Sequence, residues 1–142
     1  FNKCFLLYRK GEVEIISNIF KKAKNIKTGF QQLFNLIVSE LCLNSDKRGC
    51  LISNTYTEFL PTKRKEVTYL LDETRKIWID LIYRQLINAK FKNLILIKND
   101  KYLKSLANAI YSSIVGVSIL SKTNIKKEEL QNSLDLYLNV FK

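Results

Sequence analysis

The sequence predicts an all-α fold, a single antiparallel bundle of about six helices over residues 1–142. Three observations lead there. The chain holds one proline and four glycines, whereas strand-rich domains need a turn about every dozen residues and collect both for them. Apolar residues recur at three- and four-residue intervals nearly everywhere. Finally, 142 residues supply one domain with a real core and too little chain for two comfortable ones.

The first helix is expected from Phe1 to about Lys24, with Phe5, Leu6, Val13, Ile16, Ile19 and Phe20 as apolar positions and Gly11 as a weak point. Lys21, Lys22 and Lys24 suit its last turn, where cations meet the negative end of the helix dipole. Asn25 then caps a second helix whose Phe30, Leu33, Phe34, Ile37, Val38 and Leu41 form a clean stripe, and Asn44-Ser45-Asp46 ends it as a polar turn. A short third helix opens within KRGCLISNTYTEFL, residues 47–60, and Pro61 closes it.

Thr62 caps the longest helix, about residues 63–90. Val67, Leu70, Leu71, Thr74, Ile77, Trp78, Leu81 and Leu86 recur there at helical spacing, with Lys65, Glu66, Asp72, Glu73, Arg75, Lys76 and Arg84 mostly on the other faces. The connector FKNLILIKND reads as a loop that tucks two or three apolar residues beneath itself. Helix 100–121 has two non-polar faces: a core stripe of Leu103, Leu106, Ile110, Ile114 and Val117, and a stripe of small residues, Ala109, Ser113 and Gly116. A glycine inside a helix costs about 1 kcal/mol relative to alanine and needs a packing reason.

The last helix, capped near Asn124, carries Leu130, Leu134, Tyr137, Leu138 and Phe141 on one side, with Leu136 and Val140 beyond them. That band is wider than one neighbouring helix covers. Surplus apolar surface on two adjacent helices predicts a helix-to-helix homodimer interface through Ala109, Ser113, Gly116, Leu120, Leu130, Leu134, Tyr137 and Phe141. Packing of the same surplus against the earlier helices is the competing reading.

Composition excludes much chemistry. With no histidine, the commonest zinc ligand and the commonest general base at neutral pH are both missing. Cys4, Cys42 and Cys50 form no CxxC pair, and an odd number without a secretory segment suits a reducing, cytoplasmic setting. The densest apolar run, Leu94 to Ile97, falls far short of the roughly 20 residues of a membrane span. No nucleophile stands beside a base, and no glycine-rich phosphate loop or metal spacing occurs, so neither catalysis nor a cofactor is expected. The formal charge of +11 raises another class, a helical adaptor or nucleic-acid-binding module acting through its basic surface. Against it, 19 lysines are spread along the whole chain beside five arginines, with no arginine cluster or basic stripe interleaved with aromatics.

The order of features resembles a known family. Gly49, Cys50, Leu51, Ile52, Asn54, Glu58 and Phe59 match, position by position, a pattern that opens a short helix in many members of the tetracycline-repressor (TetR) family of bacterial transcription regulators. With the polar turn before it, the proline after it, a long helix with a central tryptophan, a loop and two closing helices, nearly the whole chain is similar to the effector-binding domain of that family. Members begin with a three-helix DNA-binding domain of helix-turn-helix type, for which nothing before Phe1 is available; Phe1-Asn2-Lys3 echoes the segment that follows it. The chain, lacking an initial methionine, reads as a fragment or processed product. The resemblance implies the regulatory, dimerising part of a repressor, contacting DNA only through the missing domain, whose last two helices pair with their copies as a four-helix bundle.

Such a domain would take a small, largely apolar effector between its helices. The lining candidates are Phe30, Phe34 and Ile37 on the second helix, Asn54 and Tyr56 on the third, Tyr69, Thr74 and Trp78 on the long helix, and Tyr111 and Ile114 on the next. For each aromatic, simple core packing competes; Trp78 and Tyr111 stand out because each carries a polar tip that needs a partner if buried. Asn54 and Glu58, four apart, suit a structural role at helix ends or loop backbone better than effector contact. Cys50 reads as a small packing residue ahead of a redox sensor.

Overall fold

The computed structural model describes residues 1–43, 47–58 and 64–142. The expected turn at Asn44-Ser45-Asp46, the motif position Phe59, the closure at Pro61 and the cap at Thr62 lie outside the described residues. Those residues form six α-helices and no strand: α1 Asn2–Lys22, α2 Ile26–Cys42, α3 Leu51–Glu58, α4 Lys65–Phe91, α5 Asp100–Leu120 and α6 Lys127–Asp135, followed by a 3₁₀ turn, Leu136–Val140. The fold is the all-α bundle that the periodicity predicts.

Local chemistry explains most boundaries. The Asn25 side chain accepts from the Thr28 N–H at 2.8 Å and starts α2, and Asn99 accepts from Lys101 and Tyr102 to start α5. Lys21 and Lys22 occupy the last turn of α1. Between α1 and α2 the approach is close. A Cβ on Gly29 would stand 2.6 Å from the Phe20 ring, so only glycine lets α2 lie down on that ring.

The end of the chain departs from expectation. Asn124 does not cap α6, because its side-chain oxygen is taken by Lys47 Nζ at 2.7 Å and the backbone is still turning out of α5. The helix begins after Lys126, whose N–H is met by the Glu129 carboxylate at 3.1 Å. Nor does α6 run to the terminus. It stops at Asp135, tightens into the 3₁₀ turn and becomes extended at Phe141. There Phe141 pairs with Ile95 of the α4–α5 connector as an isolated antiparallel bridge, with Leu96 N–H to Val140 C=O at 2.8 Å and Lys142 N–H to Leu94 C=O at 2.9 Å. Ile95 is fully buried, which is the tucking foreseen for that loop.

α4 and α5 are the most extensively packed pair; α1 lies against α2 and α4, and α6 against α2 and α5. The main core runs through Phe30, Leu33 and Phe34 of α2, Ile79, Ile82 and Leu86 of α4, and Leu103 and Ile110 of α5, closed by Leu130, Leu134 and Phe141. On α4 the deep positions include Ile79, Ile82 and Ala89, with Ile77 and Leu81 only half-buried, since the helix meets neighbours on more than one side. A smaller cluster, Phe5, Ile52, Val67, Leu70 and Leu71, joins α1, α3 and α4. The expectation of no candidate membrane span needs revision. α5, 21 residues with an 18-residue stretch at a mean hydropathy of 1.4, is long and apolar enough to cross one by length and composition alone, although its longest purely apolar run is short. Here it packs within the bundle, burying Leu103, Ala107, Ile110, Ile114 and Val117.

Candidate functional site

Where the two core clusters meet, the helices leave a cavity of about 470 Å³, within the range of small-molecule sites. α1 supplies one whole wall through Leu7, Tyr8, Gly11, Glu12, Ile15 and Ile16. α2 adds Leu33, Leu36, Ile37 and Glu40; the entry and first turn of α3 add Cys50, Ile52 and Ser53; α4 adds Trp78; α5 adds Tyr111, Ile114, Val115 and Ser118. A second concavity of about 480 Å³ is more open and sits on the outside of α4 and α5 among Arg75, Lys76, Asp80 and Lys104.

Four of the ten residues proposed from sequence line the cavity: Ile37, Trp78, Tyr111 and Ile114. Phe30 and Phe34 are fully buried and serve the core, Phe30 packing against Phe20 and Phe141 with ring centroids 4.9 and 5.3 Å away. Thr74 is buried too, its hydroxyl donating to Leu70 C=O at 2.6 Å. Tyr56 stands behind the wall, its hydroxyl 3.0 Å from that of Tyr111 and 3.3 Å from Leu71 C=O. Tyr69 is exposed and donates to Glu73 at 3.3 Å. Asn54 does the structural work expected of it, donating to Arg48 C=O at 2.7 Å across the loop that enters α3. Gly49, at φ +69°, makes that loop possible.

The polar groups that matter most in the cavity are on α1, which sequence reasoning did not assign to it. Glu12 Oε2 and Trp78 Nε1 are both buried without a hydrogen-bond partner. Burial pushes the Glu12 carboxyl up to about 7, opposed by Tyr8, one turn earlier, and by the Trp78 N–H, which lies beside the carboxylate and favours its charged form short of hydrogen-bonding geometry. Burial likewise raises Tyr8 and Tyr111, with Cys50 and Glu12 adding to both. The Trp78 and Tyr111 rings lie 5.8 Å apart on the inner side. The missed signal was legible: Tyr8, Glu12 and Ile16 lie at i, i+4, i+8, so a carboxylate interrupts an otherwise apolar face beside Gly11.

The cavity holds carboxyl, indole, phenol, thiol and two hydroxyl groups among the described residues, with Tyr8 interacting with both the Glu12 carboxyl and the Cys50 thiol. Among the described residues no group of three His, Cys, Asp or Glu could hold a metal ion. Of the predicted dimer residues, Leu130, Leu134 and Phe141 are closed into the core of the single chain. Tyr137 lies over the small-residue stripe of its own chain, 2.6 Å from Ser113 Oγ and donating to Ala109 C=O at 3.2 Å. Accessible surface remains on Ala109, Ser113, Gly116, Leu120 and Tyr137. Compared with known proteins, the chain matches no family model, no curated protein and no solved structure.

Proposed function

We propose that the chain is the effector-binding, dimerising part of a ligand-responsive regulator of the TetR kind. The observation that carries this reading is the cavity itself, about 470 Å³ of mainly apolar wall with a few convergent polar groups, built between helices with α1 as one side. In the family that the sequence resembles, the DNA-reading heads precede the helix corresponding to α1. A ligand touching Leu7, Gly11 and Ile15 binds one placement of that helix better than another and so shifts its population. The ion pair from Arg9 to Glu73, 2.9 Å long, ties the same turn of α1 to α4 and sets the resting placement. Two heads must meet half-sites about 34 Å apart, so a modest tilt suffices to end DNA binding. The second copy joins through the open face of α5.

The test is titration with a neutral fluorescent apolar probe, N-phenyl-1-naphthylamine, against the chain and an Ile114→Trp variant that fills the cavity. Saturable binding by the chain, lost in the variant, is expected; absence of saturable binding overturns the reading. The net charge of +11 keeps direct nucleic-acid binding as the rival. Tight, steeply salt-dependent binding of random-sequence duplex by this chain alone would favour it instead.

A further inference from the structure

We infer that the cavity is shaped for a lipophilic amine, whose ammonium group meets the unpartnered carboxylate oxygen of Glu12 against the aromatic wall of Trp78. This rests on the reading of the cavity as a ligand site and adds the chemical class of its occupant.

The first observation is the sign of charge. In a chain of formal charge +11, the only charged residues lining the cavity among the described residues are Glu12 and Glu40, with no lysine or arginine among them. An anionic ligand would face two carboxylates with nothing to neutralise it. The second is the pair of orphans. Glu12 Oε2 is buried with no partner, and the indole N–H of Trp78, a residue only 5% exposed, is equally unmet. A buried polar group without a hydrogen bond costs free energy, and an unpaired buried charge costs far more. A neutral apolar ligand would leave that oxygen unmet, whereas an ammonium group supplies a donor and a countercharge together. The third is the wall itself. Tyr8, Trp78 and Tyr111 all line the space, and aromatic faces attract cations, tryptophan most strongly. The Trp78 N–H takes the second carboxylate oxygen or an acceptor on the ligand.

Among the described residues, the polar groups that share this space with Glu12 are Tyr8 on α1, Glu40 on α2, Cys50 and Ser53 at the start of α3, Trp78 on α4, and Tyr111 and Ser118 on α5. None is a cation. With the Glu12 carboxyl held near 7 in the empty cavity, raising the pH from 6 to 8 ionises it, while an alkylamine with a pKa of about 10 stays charged.

The experiment is isothermal titration of the whole chain with 4-phenylbutylamine and with its neutral match, 4-phenylbutan-1-ol. The amine is expected to bind at least about tenfold tighter than the alcohol at pH 8, and its affinity to fall about tenfold by pH 6, as the proton linkage of one carboxyl requires. Glu12→Gln abolishes both the preference and the pH dependence while the alcohol still binds, its fold checked by circular dichroism. Equal binding of amine and alcohol by the unaltered chain, or a preference that survives Glu12→Gln, overturns the amine inference and leaves the ligand cavity standing. Binding of neither compound, together with failure of the neutral naphthylamine probe, overturns both.

Discussion

At the scale of single residues, the chemistry of the cavity turns on one carboxyl. Glu12 has its pKa raised from 4.5 to about 7, chiefly by burial, so the folded state holds this proton more tightly than the unfolded chain does. Its contribution is most favourable below pH 4.5 and is lost as the pH rises through 7. The shift corresponds to about 3 kcal/mol. Glu12→Gln is therefore expected to gain stability relative to the unaltered chain between pH 4.5 and pH 8, by about that amount in paired urea melts. Asp72 and Glu73, whose pKa values are lowered by hydrogen bonds from lysine and arginine, push stability the opposite way with pH but cancel in the comparison. A difference that stays flat with pH would show that Glu12 is not buried as charge. Gly49 is the other decisive residue. At φ +69°, with a Cβ set to stand 2.8 Å from Lys122 Cε and 3.0 Å from Asn54 Oδ1, Gly49→Ala should cost about 1–2 kcal/mol. An unchanged melting midpoint would refute that. The glycine was readable as a corner because little else in the chain is glycine. Trp78 and Tyr111 were readable as lining because their polar tips mark them, whereas Ile37 and Ile114 came from core stripes whose spacing does not separate them from Phe30 and Phe34, which do not line the cavity. Glu12 was passed over because a glutamate on a first helix is ordinarily solvated; its spacing with Tyr8 and Ile16 marks the face it shares, but not that α2, α4 and α5 pack around it.

At the scale of elements, the helices with their own start signals were legible and the last one was not. Asn25 opens α2 by its side chain as expected, and α5 starts within a residue of its anticipated position. Residues 124–141 keep helical spacing, yet only Lys127–Asp135 is α-helical. Spacing cannot reveal that Phe141 will leave the helix, because the partner that draws it out, Ile95, is remote in the sequence. Phe141 is 5% exposed, packs on Phe30 and belongs to the main core. Phe141→Ala should therefore cost about 3–5 kcal/mol in chemical denaturation. It should also loosen the α4–α5 connector, seen as faster amide exchange at Leu96, whose N–H bonds to Val140. A loss below 1 kcal/mol would mean that the C-terminal bridge is an ornament on a core complete without it.

At the scale of the whole molecule, the surplus apolar surface read from sequence divides in two. Leu130, Leu134 and Phe141 belong to the single chain's own core, because the 3₁₀ turn folds the terminus back over α2 and α5. What stays open is one face of α5, from Tyr102, 64% exposed, past Ala109 and Gly116 to Leu120, 47% exposed. Gly116 is the residue that discriminates. Nothing lies within 4 Å of where its Cβ would be, so within one chain alanine fits there and saves up to about 1 kcal/mol of helix propensity. A single chain gives no reason for glycine; a second α5 lying across this face does, since a methyl group there holds two backbones apart. Gly116→Ala should then act in opposite directions on two measurements. Unfolding of the chain at low concentration should shift to higher denaturant, while sedimentation equilibrium should show self-association weakened by about tenfold or more. If association is unchanged, or if the unaltered chain is monomeric at every concentration reached, α5 is not the contact between copies. The glycine would then lack a packing role, and the dimeric part of the proposed function would go with it.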